Sequence, residues 1–160
     1  MEFTIFFTIL GGVFGASLGS FLKAMADRSL QKGSFVSRSE CPQCKHKLNV
    51  FDLIPLISWI LLHGKCRYCK KNIGKEYIAV EAIFAAVLAY LFYTYSSMFP
   101  PVGDYYQQFV FWFDLFFKTF ILVVLGSIII TDIRKMLIPD RIIIPSIGIG
   151  LVALLVVSIV

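Results

Sequence analysis

Long stretches without a single charge constrain this chain more than any other feature. Residues 3–22 form a run of 20 uncharged residues, enough for an α-helix rising about 1.5 Å per residue to cross a hydrocarbon layer about 30 Å thick. Three further runs are comparable. Residues 82–103 are uncharged, with Pro100-Pro101 ending the helix near Phe99. Residues 109–131 are broken only by Asp114 and Lys118, which are four apart and so meet on one helix face. Residues 142–160 carry no charge. A shorter piece, residues 53–62, contains Pro55 and cannot span; it is read as lying in the interface or packing on the bundle. Of 160 residues 58% are apolar, and 15 basic and 10 acidic side chains carry all the formal charge. A mean hydropathy of +0.81 excludes both a soluble single domain and disorder. The first run lacks a basic start and a cleavage-like end, which argues against a cleavable signal peptide. The expected fold is an all-α polytopic membrane protein with about four transmembrane helices, at 1–22, 78–99, 109–131 and 142–160.

The basic residues orient these spans. Eleven of the fifteen fall between Lys23 and Lys75, three lie at Arg134, Lys135 and Arg141, and the external loop at 100–108 has none. Excess Lys and Arg mark cytoplasmic connections, so residues 23–77 and the turn at 132–141 are expected in the cytoplasm, with both chain ends outside. In the first span Gly11, Gly15 and Gly19 share a stripe, with Gly12, Ala16 and Ser20 beside it. Small residues at every fourth position let another helix approach closely. No internal repeat is evident. The last run stops at Val160 without a charged or aromatic anchor, so the chain is read as a truncated product or part of a longer one.

All four cysteines lie in the basic segment, as Cys41-x-x-Cys44 and Cys66-x-x-Cys69, with 21 residues between the pairs. A two-residue gap lets both thiolates of a pair face one ion, and two pairs complete a tetrahedron around structural zinc. Two disulfides compete with this reading, but the expected cytoplasmic compartment keeps thiols reduced. His46 and His63 lie near the pairs and are spare ligand candidates, read as exposed loop histidines. A loop with so little apolar content needs metal binding to fold.

Carboxylates at membrane depth each ask for a function. Asp114 is answered by Lys118. Glu81 begins the second span and Asp132 closes the third, both at the cytoplasmic edge. Asp132 invites more attention, because the run from Ser127 to Thr131 leads into it with no basic residue a turn before. Asp140 follows Pro139 and is read as capping the next helix. Two carboxylates sharing a proton can hydrolyse a peptide, one activating water while the other polarises the carbonyl. Asp132 and Asp140 are eight residues apart, about 12 Å along a helix, with Pro139 between them. Local geometry does not make them partners.

Several blocks carry a family resemblance. Gly15-Ala-Ser-Leu-Gly-Ser-Phe-Leu22, Arg38-Ser-Glu-Cys-Pro-Gln-Cys44 and Asp52-Leu-Ile-Pro-Leu-Ile-Ser-Trp59 come first. Gly64-Lys-Cys-Arg-Tyr-Cys69, Tyr77–Glu81 and Thr131-Asp132-Ile-Arg with Ile138-Pro-Asp140 follow. In this order they resemble the bacterial type IV prepilin leader peptidases, which are intramembrane aspartic peptidases. Lys23 stands where that family often has asparagine, and Ile78 where it often has proline. The resemblance implies that Asp132 is one catalytic aspartate and that Cys41, Cys44, Cys66 and Cys69 are the family's tetrad. Glu81 and Asp140 match acidic positions of accessory role. It further implies removal of the basic leader of type IV prepilins or pseudopilins at the cytoplasmic face of the bacterial inner membrane. S-adenosylmethionine would be the methyl donor if the new N-terminus is methylated. The family's later Gly-x-Gly-Asp block has no counterpart, because leucine follows Gly148-Ile-Gly150. The chain is therefore expected to be inactive alone and to need a C-terminal half or an oligomeric partner.

A different class of function competes: a non-catalytic, zinc-ordered membrane module, either fragment or remnant. Residues 23–77 hold eleven basic against four acidic side chains, a net +7 that would attract anionic lipid headgroups. Charge excess beside a membrane is the ordinary orientation signal, so no nucleic acid partner is expected.

Overall fold

The structure is a computed structural model that describes residues 1–30, 39–41, 43–100, 104–135 and 147–150. The described residues are mostly helical: α1 (Glu2–Leu30), a 3-10 turn (Val50–Leu53), α2 (Ile57–Leu61), α3 (Lys75–Ser96) and α4 (Tyr105–Lys135). Among them there is no strand, only two isolated bridges. Three helices, α1, α3 and α4, are long and apolar enough to cross a membrane. The expected fourth span at 142–160 lies outside the described residues except for 147–150, which are helical. The chain divides into two compact units, Met1–Met98 and Phe99–Val160.

In the first unit α1 and α3 pack antiparallel along the glycine stripe. A Cβ at Gly11 would sit 2.6 Å from the Phe92 side chain, one at Gly15 would overlap the Phe84 carbonyl, and one at Gly19 would lie 3.1 Å from Cα of Glu81. The close approach expected from the small-residue spacing is therefore real, and its partner is α3. Phe7 stacks on Phe92 at 4.9 Å between ring centroids, and Leu88 is fully buried beside them.

Helix α1 does not stop where its apolar run ends at Leu22. It continues to Leu30 and carries Lys23 and Asp27 on its last turns. Lys23 is buried to 2% exposure. Its Nζ donates to both oxygens of Asp27 at 2.9 and 3.1 Å, lies 3.7 Å from Glu76 and sits 4.4 Å above the Tyr77 ring. The Tyr77 hydroxyl donates to Asp27 Oδ2 at 2.6 Å. An ammonium hidden this well is tolerated because opposite charge and hydrogen bonds surround it. This knot ties the end of α1 to the start of α3.

Between these helices, Asn49 opens the 3-10 turn with a reciprocal cap: its side chain accepts from Val50 N–H at 2.7 Å, while Asn49 N–H donates to Asp52 at 3.2 Å. Pro55 and Leu56 then lead into the short α2. In the second unit Asp104 caps the start of α4 by accepting from Gln107 N–H at 3.0 Å. Further along α4, Lys118 donates to Asp114 at 2.8 Å, the i, i+4 pair expected from the spacing.

Candidate functional site

The four cysteines converge. Their Sγ atoms all lie within 4.8 Å of one another, with Cys41 and Cys69 at 4.0 Å, so the tetrad could hold a metal ion. The two pairs use the same backbone device. Cys41 N–H donates to the His46 carbonyl and Lys45 N–H to the Cys41 carbonyl, both at 2.9 Å. Likewise Cys66 N–H donates to the Lys71 carbonyl at 2.9 Å and Lys70 N–H to the Cys66 carbonyl at 3.0 Å. Each knuckle closes with a bridge, Glu40 to Lys47 and Lys65 to Asn72. Each also places a lysine in the left-handed region, Lys45 and Lys70 both at φ 58°. The module is thus a structural duplication with a register of 25 residues, a repeat that the one-dimensional reading missed. The signal was the lysine directly after the second cysteine of each pair.

The thiols are unequal. Burial opposes ionisation of Cys41, but hydrogen bonds from the Cys44 and Gln43 backbone and from neighbouring thiols outweigh it, lowering its pKa to about 7. At Cys44 the His46 backbone favours the thiolate. Burial and the competing charge at Cys41 overcome this and push it up to about 11. Like charges held this close cannot all ionise freely, so ionising Cys41 opposes ionising Cys44. Among the described residues the metal-capable cluster comprises the cysteines alone. His46 instead stacks on Tyr68 at 3.7 Å between centroids.

Asp52 joins the second knuckle to the 3-10 turn. It accepts from Arg67 Nε at 2.7 Å and from the Tyr68 hydroxyl at 3.2 Å. Burial raises its carboxyl, but the Asn49 N–H and the Arg67 guanidinium prevail and hold it below the usual carboxylate range. Burial, together with the Asp52 charge, moves the Tyr68 phenol upward.

Glu81, expected as an accessory acid, is buried at 8% exposure and accepts the Leu56 N–H at 2.7 Å. Leu56 has φ 61° and ψ −51°, the centre of a tight turn that is costly for a residue with a side chain, and the carboxylate secures it. Below the cysteine module a cavity of about 330 Å³ opens between α1, α2 and α3, with Asp27, Trp59, Tyr77 and Glu81 in its wall. Trp59 Nε1 is buried there with no acceptor among the described residues. The Trp59 ring covers Gly64, whose φ of 69° and lack of a side chain the contact requires.

Asp132 lies in the last turn of α4 and is exposed. Thr131, directly before it, is buried and donates its hydroxyl to the Ser127 and Ile128 carbonyls, each at 2.9 Å. Asp140 lies outside the described residues. Asp132 belongs to the second unit, and the tetrad and Glu81 to the first.

Comparison with known proteins bears on the first unit above all. The family model for the bacterial peptidase A24 N-terminal domain matches residues 13–95, which take in most of α1, the cysteine module and nearly all of α3. The prepilin leader peptidase/N-methyltransferase of Vibrio cholerae is 29% identical over 143 residues, 86% of this chain and 51% of that protein. The Bacillus subtilis protein of the same name is 32% identical over 136 residues, 82% of this chain and 48% of its own length. The Escherichia coli type 4 prepilin-like proteins leader peptide-processing enzyme is 46% identical over 54 residues, 34% of this chain and 19% of its own. The chain spans about half the length or less of these relatives. No solved structure matches it. With its matched domain reaching from the glycine stripe of α1 through both cysteine knuckles to the end of α3, the chain belongs to the bacterial peptidase A24 family.

Proposed function

We propose that this chain is the N-terminal part of a prepilin leader peptidase. The enzyme cuts the basic leader from type IV prepilins or pseudopilins at the cytoplasmic face of the bacterial inner membrane. The observation that carries this reading is the family match, continuous over 13–95 and thus across every element that builds the cysteine module. Helices α1, α3 and α4 cross the membrane with residues 23–77 inside, a topology that the Lys and Arg distribution supports. Asp132 then sits at the cytoplasmic end of α4 as one of two catalytic carboxylates. Ionised, it would take a proton from water; a protonated partner carboxyl would polarise the scissile carbonyl. An exposed position at a helix end suits a group that must meet an extended substrate.

The tetrad fits zinc. Four Zn–S bonds of about 2.3 Å place sulfurs about 3.8 Å apart, a small contraction from the observed cluster. Cys41, Cys44, Cys66 and Cys69 would hold zinc with no coordination position left open, so the metal would serve to fasten the two knuckles together. Metal analysis should find one ion per chain, with the thiols protected until a chelator is added. Thiols found as two intact disulfides would contradict both the metal and the cytoplasmic assignment.

Methylation of the new N-terminus, implied by the relatives' names, would call on S-adenosylmethionine. The cavity offers aromatic Trp59 and Tyr77 for it, in a wall where Asp27, Glu40, Asp52 and Glu81 are balanced by Arg28, Lys45, Arg67 and Lys71. Its volume is at the lower end for ligand pockets.

The test is Asp132→Asn in the full-length enzyme, assayed for leader removal in vesicles. Loss of cleavage with unchanged membrane insertion is the expected result; normal processing would end the assignment. A non-catalytic membrane module predicts no cleavage by the 160-residue chain, even when it is combined with a C-terminal half bearing Gly-x-Gly-Asp.

A further inference from the structure

The segment from Val50 to Leu61 turns large apolar side chains outward. Val50, Phe51, Ile57, Ile60 and Leu61 are all exposed, Phe51 at 69% and Leu61 at 71%. A hydrophobic patch of this kind marks a docking surface. What covers it follows from where the segment is held.

Its anchor is Glu81, which accepts the Leu56 N–H. Cα of Glu81 lies 3.1 Å from the position of a Cβ on Gly19. Gly19 falls inside the uncharged run of α1, which extends to Leu22, and the uncharged run of α3 begins at Ala82. Leu56 is therefore pinned at the level where both helices pass from charged to apolar sequence. Asp52, in the wall of the same cavity as Glu81, is held by Arg67 and Tyr68 of the second knuckle. The polar side thus faces the cysteine module, and the apolar side is left without a protein cover among the described residues of the first unit. The flanking stretches add Lys45, Lys47, Lys65, Arg67, Lys70 and Lys71, all exposed.

We infer that residues 50–61 form an in-plane segment seated in the boundary between headgroups and acyl chains of a bilayer carrying anionic lipid, fastening the cysteine module to the membrane surface. Apolar side chains below and a cationic collar above are what such a surface selects. The inference rests on α1 and α3 being membrane spans, and it is independent of the peptidase chemistry.

The experiment places photoreactive p-benzoylphenylalanine at Phe51, Ile60, Lys71 or Tyr90 of the full chain, in vesicles of phosphatidylethanolamine and phosphatidylglycerol. Tyr90, exposed in the middle of α3, reports on the span itself. Irradiation should give phospholipid adducts at Phe51, Ile60 and Tyr90, at least tenfold above the yield at Lys71. Adducts at Tyr90 but only Lys71-level yield at Phe51 and Ile60 would overturn the inference and leave the spans intact. Cross-links from Phe51 or Ile60 to protein would overturn it too, in favour of a second copy or a protein partner. Failure at Tyr90 as well would remove the span reading on which the inference rests.

Discussion

The carboxylate of Glu81, on the second turn of α3, accepts the backbone N–H of Leu56 at 2.7 Å, 25 residues back along the chain. One acid thereby fixes the mid-point of the segment between the two knuckles and holds Leu56 in a conformation that it would otherwise avoid. Glu81→Ala leaves this N–H without its charged acceptor, at a cost of about 1.5–3 kcal/mol. Glu81→Gln keeps a carbonyl acceptor and should cost about half as much. Hydrogen exchange at the Leu56 amide reads both, and an amide equally protected in wild type and Glu81→Ala would show that the contact is dispensable.

The glycine stripe makes a graded prediction. At Gly15 any side chain meets the Phe84 backbone, whereas a methyl at Gly12 finds Ala89 Cβ at an ordinary 3.6 Å. Backbone cannot rotate away as a side chain can, so Gly15→Leu should separate α1 from α3, costing about 3 kcal/mol or more. Gly12→Ala should change stability by less than about 1 kcal/mol. Thermal unfolding in detergent, followed by proteolysis of the loop, compares the two. Equal tolerance of both substitutions would argue against the observed register.

Lys23 and Asp27 form a buried pair, with side chains 2% and 15% exposed. Removing only Asp27 leaves the buried ammonium to Glu76 at 3.7 Å and the Tyr77 ring, so Asp27→Ala is expected to destabilise by up to about 3 kcal/mol. Replacing both partners with apolar residues, as in Lys23→Met with Asp27→Leu, should recover much of that loss. Chemical denaturation of the single and double variants measures the coupling. Additive losses would mean that the pair is not a unit.

Acid should loosen the attachment of the 3-10 turn to the second knuckle. The folded pKa of Asp52 lies below its ordinary value, so its contribution is present above about pH 4, the unfolded value, and fades as pH falls through the lower folded value. Because Arg67 is half exposed, the ion pair is screened, and Arg67→Ala should cost no more than about 1 kcal/mol. The measurable sign is that the gap between wild type and Arg67→Ala closes in acid. A gap that widens as pH falls would contradict the direction of the Asp52 shift.

Much of this was legible in one dimension, and the exceptions have a common cause. Three of the four uncharged runs coincide with long helices among the described residues, because a helix in lipid must bring its own hydrogen bonds and an apolar surface. The four cysteines announced their convergence, because two-residue gaps constrain sulfurs to one side of a turn. The i, i+4 spacing of Asp114 and Lys118 announced their contact. Lys23 and Asp27 had the same spacing, but nothing local foretold that α1 would run on past Leu22 and meet Tyr77. The role of Glu81 was equally hidden, since its partner is a backbone amide distant in sequence.

The sequence by itself determined that helices would be long and apolar, that small residues would line one of them, and that four thiols would share a site. Each of these depends on spacing within a single stretch of chain. Which helix fills the glycine stripe, where Lys23 hides its charge, and what Glu81 holds were decided only by tertiary structure. Those contacts join residues tens of positions apart, and their geometry exists only once α1 and α3 have closed on each other.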